Sequence, residues 1–217
     1  GICLDKCPFN VIEIEDNKAV IMEGCTLCGA CVSECPVGAI VIERKEAEVN
    51  LEEYENVWVF GEQLEGEISD VVYELIGEGR KLADKLDEEL CVVLPGYNLT
   101  EKARDLMEYG VDKVYLIDNE ELHSYYDEYY STVMTGIIET YKPSIILLGA
   151  TAVGRSLGPR VAARIKTGLT ADCTGLDIED DSGNLLQTRP AFGGNIMATI
   201  LCKNHRPQMA TVRPGVM

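Results

Sequence analysis

Ser144-Ile145-Ile146-Leu147-Leu148-Gly149-Ala150-Thr151-Ala152-Val153-Gly154-Arg155-Ser156 is the stretch whose reading decides the fold. The apolar run at 144–148 has strand length, and Gly149 ends it. A helix is predicted from about Gly154 to Lys166. A strand that turns sharply into a helix is the building unit of a parallel α/β sheet. Upstream the same alternation recurs. Val57-Trp58-Val59-Phe60 is a buried-strand signal, and residues 68–86 carry apolar side chains at helical spacing (Val71, Val72, Leu75, Ile76, Leu82, Leu86). Leu90-Cys91-Val92-Val93-Leu94 reads as a strand stopped by Pro95-Gly96. Thr100 reads as the N-cap of a helix through Met107. Residues 114–117 form a third strand and the Tyr-rich stretch 124–141 a helix. Alternation of this kind predicts a doubly wound parallel sheet. After Gly168 short alternating segments follow at 174–178, 185–188, 196–201 and 208–212, with Asp181-Ser182-Gly183-Asn184 as a turn. They are expected to extend the sheet or to form hairpins.

The composition bounds the function. The chain has 217 residues, with 19 Lys plus Arg against 37 Asp plus Glu and a net charge of −18. A nucleic-acid binder needs a basic face, so that class is excluded. Docking on anionic lipid is disfavoured for the same reason. A hydrophobic fraction of 46% excludes a disordered chain. No apolar run is long enough to span a bilayer, and no signal peptide is expected at the start.

The cysteines are more specific. Six of the nine lie in the first 35 residues. Dense clustering of this kind reads as metal ligation in a reducing, cytoplasmic setting rather than as a disulfide framework. Cys25-x2-Cys28-x2-Cys31-x3-Cys35-Pro36 is the bacterial spacing for [4Fe–4S] clusters. The two-residue gaps let a tight loop aim successive thiolates at one cuboidal group. The fourth Cys turns away toward a second one. Structural zinc is the alternative, and it favours separated CxxC pairs. An internal repeat supports two sites: Cys3, Cys7 and Pro8 recur as Cys31, Cys35 and Pro36, each 28 positions on. The counterparts of Cys25 and Cys28 would fall just upstream of Gly1, so the natural protein is expected to start earlier. Between the runs Asp16-Asn17 marks a hairpin turn. The charged stretch 43–55 reads as a linker between a small domain (1–42) and a larger one (56–217).

The larger domain has no G-x-G-x-x-G. Its one phosphate-loop near-match is Gly149 to Ser156, with Arg155 where the motif has Lys. Three readings stay open: a nucleotide site, a tight turn facing a cofactor or partner, and glycines required by packing.

Several segments carry a family resemblance. They are Val57-Trp58-Val59-Phe60-Gly61-Glu62-Gln63, the helix 74–84, Gly154-Arg155-Ser156-Leu157-Gly158-Pro159-Arg160 with Gly168-Leu169-Thr170-Ala171-Asp172-Cys173-Thr174, Arg189-Pro190-Ala191-Phe192-Gly193-Gly194-Asn195 and Thr211-Val212-Arg213-Pro214-Gly215. Together they resemble the first domain of the electron-transfer flavoprotein alpha subunit, over about 56–217. The N-terminal part is similar to a two-cluster bacterial ferredoxin. The resemblance implies an α/β fold: a parallel-sheet, nucleotide-binding-like domain preceded by a small α+β ferredoxin-like one. It also implies crossed ligation, with Cys25, Cys28, Cys31 and Cys7 holding one [4Fe–4S] cluster and Cys3 and Cys35 part of a second. FAD would sit in a beta subunit and in a second alpha domain that is absent after Met217.

By the same resemblance the chain is an electron carrier of a bifurcating complex and is non-catalytic alone. Its implied partners are the electron-transfer flavoprotein beta subunit, NADH through that subunit, ferredoxin, and an acyl-CoA dehydrogenase or a flavin-dependent hydroxyacid dehydrogenase. The alternative is an iron-sulfur redox sensor regulating a nucleotide-binding α/β domain.

Thr151, Arg155 and Arg160 lie at or beyond the end of a strand, where open α/β sheets bind ligands. They are candidates to face a flavin or the beta subunit, and the two arginines could equally pair with carboxylates. Asp172 and Asn195 read as turn or cap residues. Cys91, Cys173 and Cys202 read as core, His123 as surface, His205 as part of a turn, and Tyr125, Tyr126, Tyr129 and Tyr130 as packing or interface.

Overall fold

The computed structural model describes residues 2–42, 50–194 and 196–217. It divides into two compact units, Gly1–Glu48 and Val49–Met217. Most of the charged stretch (43–49) and Asn195 lie outside the described residues.

In the small unit the chain forms α1 (Ile2–Asp5), β1 (Ile12–Glu15), β2 (Lys18–Ile21) and α2 (Ala30–Ser33). β1 and β2 pair antiparallel, with Glu15 opposite Lys18. Asp16 and Asn17 both take left-handed φ, 49° and 65°. That is the demand of a two-residue hairpin turn whose twist matches its strands. The 28-residue repeat extends to the backbone. α1 shifted by 28 falls on α2. The bond from Cys7 N to the Leu4 carbonyl (3.2 Å) recurs as Cys35 N to Val32 (3.2 Å), and Asn10 N to Cys7 (3.2 Å) as Gly38 N to Cys35 (3.2 Å). Both helices are single turns, so their cysteines are held by the loops around them rather than by helix stability.

The larger unit contains β3 (Val57–Phe60), the short hairpin β4 (Gln63–Leu64) and β5 (Glu67–Ile68), then α3 (Asp70–Leu86), β6 (Leu90–Gly96), α4 (Thr100–Met107) and β7 (Lys113–Asp118). It continues with α5 (Asp127–Tyr141), β8 (Ile145–Gly149), α6 (Ala152–Ile165), β9 (Leu169–Cys173), β10 (Gly175–Ile178), β11 (Leu185–Ala191), β12 (Ile196–Ile200) and β13 (Gln208–Val212). Six strands make a parallel sheet in the order β7-β6-β3-β8-β13-β9. β10, β11 and β12 form a separate antiparallel sheet. The four central strands are buried along their whole length, as a sheet covered on both faces requires. Period-two alternation distributes β3 between two cores. Val57 and Val59 pack with Leu75 and Leu82 of α3, whereas Trp58 and Phe60 pack with Met134 of α5 and Leu157 of α6.

The segments after Gly168 do both things expected of them. β13 enters the parallel sheet between β8 and β9, and the others form the antiparallel layer, turning at Gly183 (φ 66°). Four sequence expectations change. β6 runs through Pro95 and Gly96 instead of stopping before them. The Val93 carbonyl accepts from Gly61 N at 2.8 Å, so alternation puts the missing Pro95 N–H on the same side, past the end of β3. Thr100 is the first helical residue and not the cap; Leu99 holds that place and its carbonyl accepts from Ala103 N at 2.8 Å. α5 begins at Asp127, because a 3-10 turn at Glu120–Leu122, capped by Asn119, precedes an extended Tyr126. β9 is an additional strand, before the segment expected at 174–178. Its mixed sequence has no clean alternation, and it ends irregularly at Asp172 (φ 59°).

Candidate metal centre and sheet crevice

The small unit encloses a cavity of about 180 Å³ lined by Cys7, Cys25, Cys28 and Cys31, with Phe9 and Val11 among the apolar side chains around them. A second, more open cavity is lined by Cys3 and Cys35 together with Asn17 and Lys18. The loop before α2 carries left-handed φ at Gly24 (96°), Leu27 (54°) and Gly29 (81°), and its Cys25 and Cys28, both exposed, line one space with Cys7 and Cys31. All nine cysteines are free thiols. Among the described residues no three Cys, His, Asp or Glu side chains converge on a single-ion position. A zinc site would gather four ligands about 2.0–2.3 Å from one ion. Four sulfurs around an apolar cavity of this size suit a multi-iron group better. Cys7 and Cys35, the Pro-preceding cysteines of the two runs, have lowered thiol pKa values. The main cause is a backbone N–H aimed at sulfur, from Val11 for Cys7 and from Ala39 for Cys35. The Ala39 bond is 3.2 Å long. Both donors lie four residues beyond their cysteine, so the repeat includes the sulfur's partner.

In the larger unit the strand order reverses between β3 and β8, the position where open α/β sheets form a crevice at their C-terminal edge. Here that crevice is filled from within. Thr151 Oγ1 accepts from Gly154 N at 3.0 Å, capping α6, and donates to the Glu62 carboxyl at 2.6 Å. Ser69 Oγ donates to the same carboxyl at 3.3 Å. Gln63 donates to the Tyr130 hydroxyl (2.8 Å), which donates to the Leu122 carbonyl (2.9 Å). A Cβ on Gly154 would stand 1.9 Å from the Gly149 carbonyl oxygen. Only Ala150 and Thr151 separate β8 from α6, too little chain to wrap a phosphate as a Gly-rich loop does.

Arg155 folds back, with Nε on the Ala150 carbonyl (2.9 Å) and its guanidinium on Asp172 (2.9 Å). Arg160 pairs with Asp127 at 3.5 Å. Asp127 also accepts from Tyr125 and Ser156, both at 2.6 Å, and these two bonds with the Arg160 charge lower its pKa. Sequence reasoning missed Glu62, Gln63 and Tyr130 as a buried network. A carboxylate and an amide directly after a buried strand were the available signal.

The other cysteines behave as core or near-core groups. Burial pushes Cys91 up to about 12 and Cys173 to about 11. Cys202 is half-buried against Thr167 and the His205 carbonyl. His123 is exposed and His205 lies in a bend. Tyr130 is buried, Tyr125 half-buried, and Tyr126 and Tyr129 are exposed.

The fold and the site define a class: a covered parallel α/β unit carried on one chain with a small four-cysteine unit of ferredoxin-like spacing. Comparison with known proteins agrees. The electron transfer flavoprotein domain family matches residues 57–217, and the 4Fe-4S binding domain family matches 18–41. The chain belongs to the electron transfer flavoprotein domain family. It is 55% identical over 168 residues to Protein FixB of Clostridium saccharobutylicum, covering 77% of this chain and 50% of that protein. It is 46% identical over 208 residues to the lactate dehydrogenase (NAD(+),ferredoxin) subunit LctC of Acetobacterium woodii, covering 95% of this chain and 50% of that protein. It is 45% identical over 190 residues to the acryloyl-CoA reductase electron transfer subunit beta of Anaerotignum propionicum, covering 77% of this chain and 52% of that protein. The chain spans about half the length of the curated relatives it matches. No helix among the described residues is long and apolar enough to cross a membrane.

Proposed function

We propose that the chain is the electron-carrying, alpha-type subunit of a flavin-based electron-bifurcating complex. The observation that carries this reading is the LctC match, which spans 95% of the chain and so includes the cysteine unit as well as the flavoprotein unit. That relative's name couples NAD(+) and ferredoxin to a dehydrogenase. The partners proposed for this chain are a beta-type flavoprotein subunit that meets NADH, ferredoxin, and a flavin-dependent hydroxyacid dehydrogenase or an acyl-CoA dehydrogenase. FAD is proposed in the beta-type subunit and in a further alpha domain.

Cys7, Cys25, Cys28 and Cys31 are the proposed ligands of one [4Fe–4S] cluster, and Cys3 and Cys35 supply part of a second. When bound, such clusters supply one-electron storage. The chain's own residues give each site its thiolates, the backbone N–H bonds to Cys7 and Cys35, and apolar neighbours. The larger unit, its crevice closed by Glu62, Thr151 and Gln63, acts as a rigid platform. Arg155 and Arg160 are proposed to reach its partner-facing surface. The test is an anaerobic assay of the full complex. NADH oxidation that requires ferredoxin and a dehydrogenase acceptor together supports bifurcation. NADH oxidation indifferent to ferredoxin refutes it and leaves simple electron transfer.

A further inference from the structure

A cleft of about 360 Å³ lies at the N-terminal edge of the parallel sheet, the end away from the crevice. Arg206 and Pro207 reach it from the lead into β13, Ile138 and Glu139 from the last turn of α5, and Ile165 and Lys166 from the end of α6. Arg80, Lys85, Lys113 and Lys142 are typical of this acidic chain in pairing with carboxylates. Arg206 and Lys166 form no ion pair among the described residues. The Arg206 guanidinium is half-buried. It donates to the Cys202 and His205 carbonyls, both at 3.0 Å, and to Asn184 Oδ1 at 2.9 Å. All three acceptors are neutral, and two of the five guanidinium N–H donors remain. Burial works against the charge, and the more distant Glu88 carboxylate, itself held by Ser144 at 2.8 Å, only partly offsets this. Arg206 does not serve the helix ends either. The Ile138 and Ala162 carbonyls there accept from the backbone N–H groups of Lys142 (2.8 Å) and Thr167 (3.0 Å). Arg164 also lines the cleft but is committed to Glu128 at 2.6 Å and Thr132 at 2.9 Å. Glu139 is the one carboxylate among the described residues of the lining.

We propose that this cleft binds a small organic phosphate, with the phosphate between Arg206 and Lys166 and the apolar body against Ile138, Ile165 and Pro207. This goes beyond the electron-carrier reading and does not depend on it. A half-buried cation with neutral partners and spare donors is costly by itself, and an anion that reaches it gains charge-assisted hydrogen bonds. Two cations without carboxylates favour a dianion over a monocarboxylate. Ligand pockets start at about 300 Å³, so the cleft suits a one-ring molecule and is too small for a dinucleotide.

The experiment is a calorimetric titration of the full-length chain in its complex with phenyl phosphate, benzoate and inorganic phosphate, at low ionic strength. Phenyl phosphate is expected to bind more tightly than either simpler ion. Lys166→Glu weakens it on the order of tenfold. Glu139→Gln removes the carboxylate from the lining and tightens binding about two- to threefold. Lys166 and Glu139 are both exposed, so these variants leave the packing intact. Lys102→Glu makes the same charge change on α4, away from the lining, and leaves the affinity unchanged. No saturable binding in the millimolar range overturns the proposal. So does a Lys166→Glu variant no weaker than Lys102→Glu, or benzoate or inorganic phosphate bound as tightly as phenyl phosphate. None of these results bears on the cysteine unit.

Discussion

Replacing Thr151 tests whether this residue is a structural cap or a contact held ready for a ligand. In Thr151→Val the shape is nearly kept but the hydroxyl is gone. Gly154 N then loses the acceptor that caps α6, and the Glu62 carboxyl loses its 2.6 Å donor. A lost N-cap costs about 1 kcal/mol. A buried acceptor left short of a partner costs roughly 1–3 kcal/mol. Glu62 is only 6% exposed, so water does not replace the bond freely. The two effects share one atom, and Ser69 still donates to the Glu62 carboxyl, so less than their sum, about 2 kcal/mol, is expected. For a chain of this size that lowers Tm by about 4–8 °C. Trp58 is the only tryptophan and is 1% exposed, so its fluorescence reports unfolding of the larger unit. Thr151→Ser keeps both bonds and should stay within about 1 kcal/mol of wild type. A Val variant within about 0.5 kcal/mol of wild type, or a Ser variant as unstable as Val, would refute the reasoning.

Three further outcomes are expected. Gly154→Ala places a methyl 1.9 Å from the Gly149 carbonyl, so α6 must move away from β8; denaturant unfolding should show a loss of about 2 kcal/mol or more. Cys28→Ser removes a sulfur from the enclosed cavity but none from the other, so iron analysis should fall to about half, and unchanged iron would remove Cys28 from the ligand set. Asp112 accepts from Leu90 N (2.8 Å) and Arg80 (2.6 Å), and those bonds lower its pKa. The charged form is therefore favoured in the folded state, and its stabilisation is present above the unfolded value of about 3.9 and lost as pH falls through the folded one. Asp112→Asn should thus destabilise at pH 7, with the difference closing as pH drops below about 3.9; a difference that grows in acid would contradict this.

The sequence revealed most where one physical rule dominated. The apolar runs at 57–60 and 144–148 read as strands, and the structure forms them there with β3 and β8 buried along their length. Asp16-Asn17 could only be a tight hairpin turn. It revealed least where tertiary partners override local preference. Thr100 has cap chemistry, but Leu99 occupies the cap because its side chain, 2% exposed, is needed in the core. β9 has no periodic signal because it is an edge strand made by pairing with β13, a segment far along the chain. The phosphate-loop likeness of 149–156 left three readings open for a related reason. Its glycines meet a packing demand, shown by the 1.9 Å approach at Gly154, and a packing glycine spells the same letters as a phosphate-binding one.

The small unit shows how repetition and difference divide the work. Backbone features recur at a spacing of 28: the one-turn helices, the turn bonds after them, and an N–H aimed at the sulfur of Cys7 and of Cys35. Asn10 (φ 52°) holds in the first copy the left-handed place that Gly38 (φ 61°) holds in the second. Asparagine tolerates that conformation where most side chains do not, so the geometry survives without glycine. The shared backbone can supply two thiolate sites of one kind. Side chains that line the cavities without shaping the backbone are free to differ, as Phe9 and Val37 do.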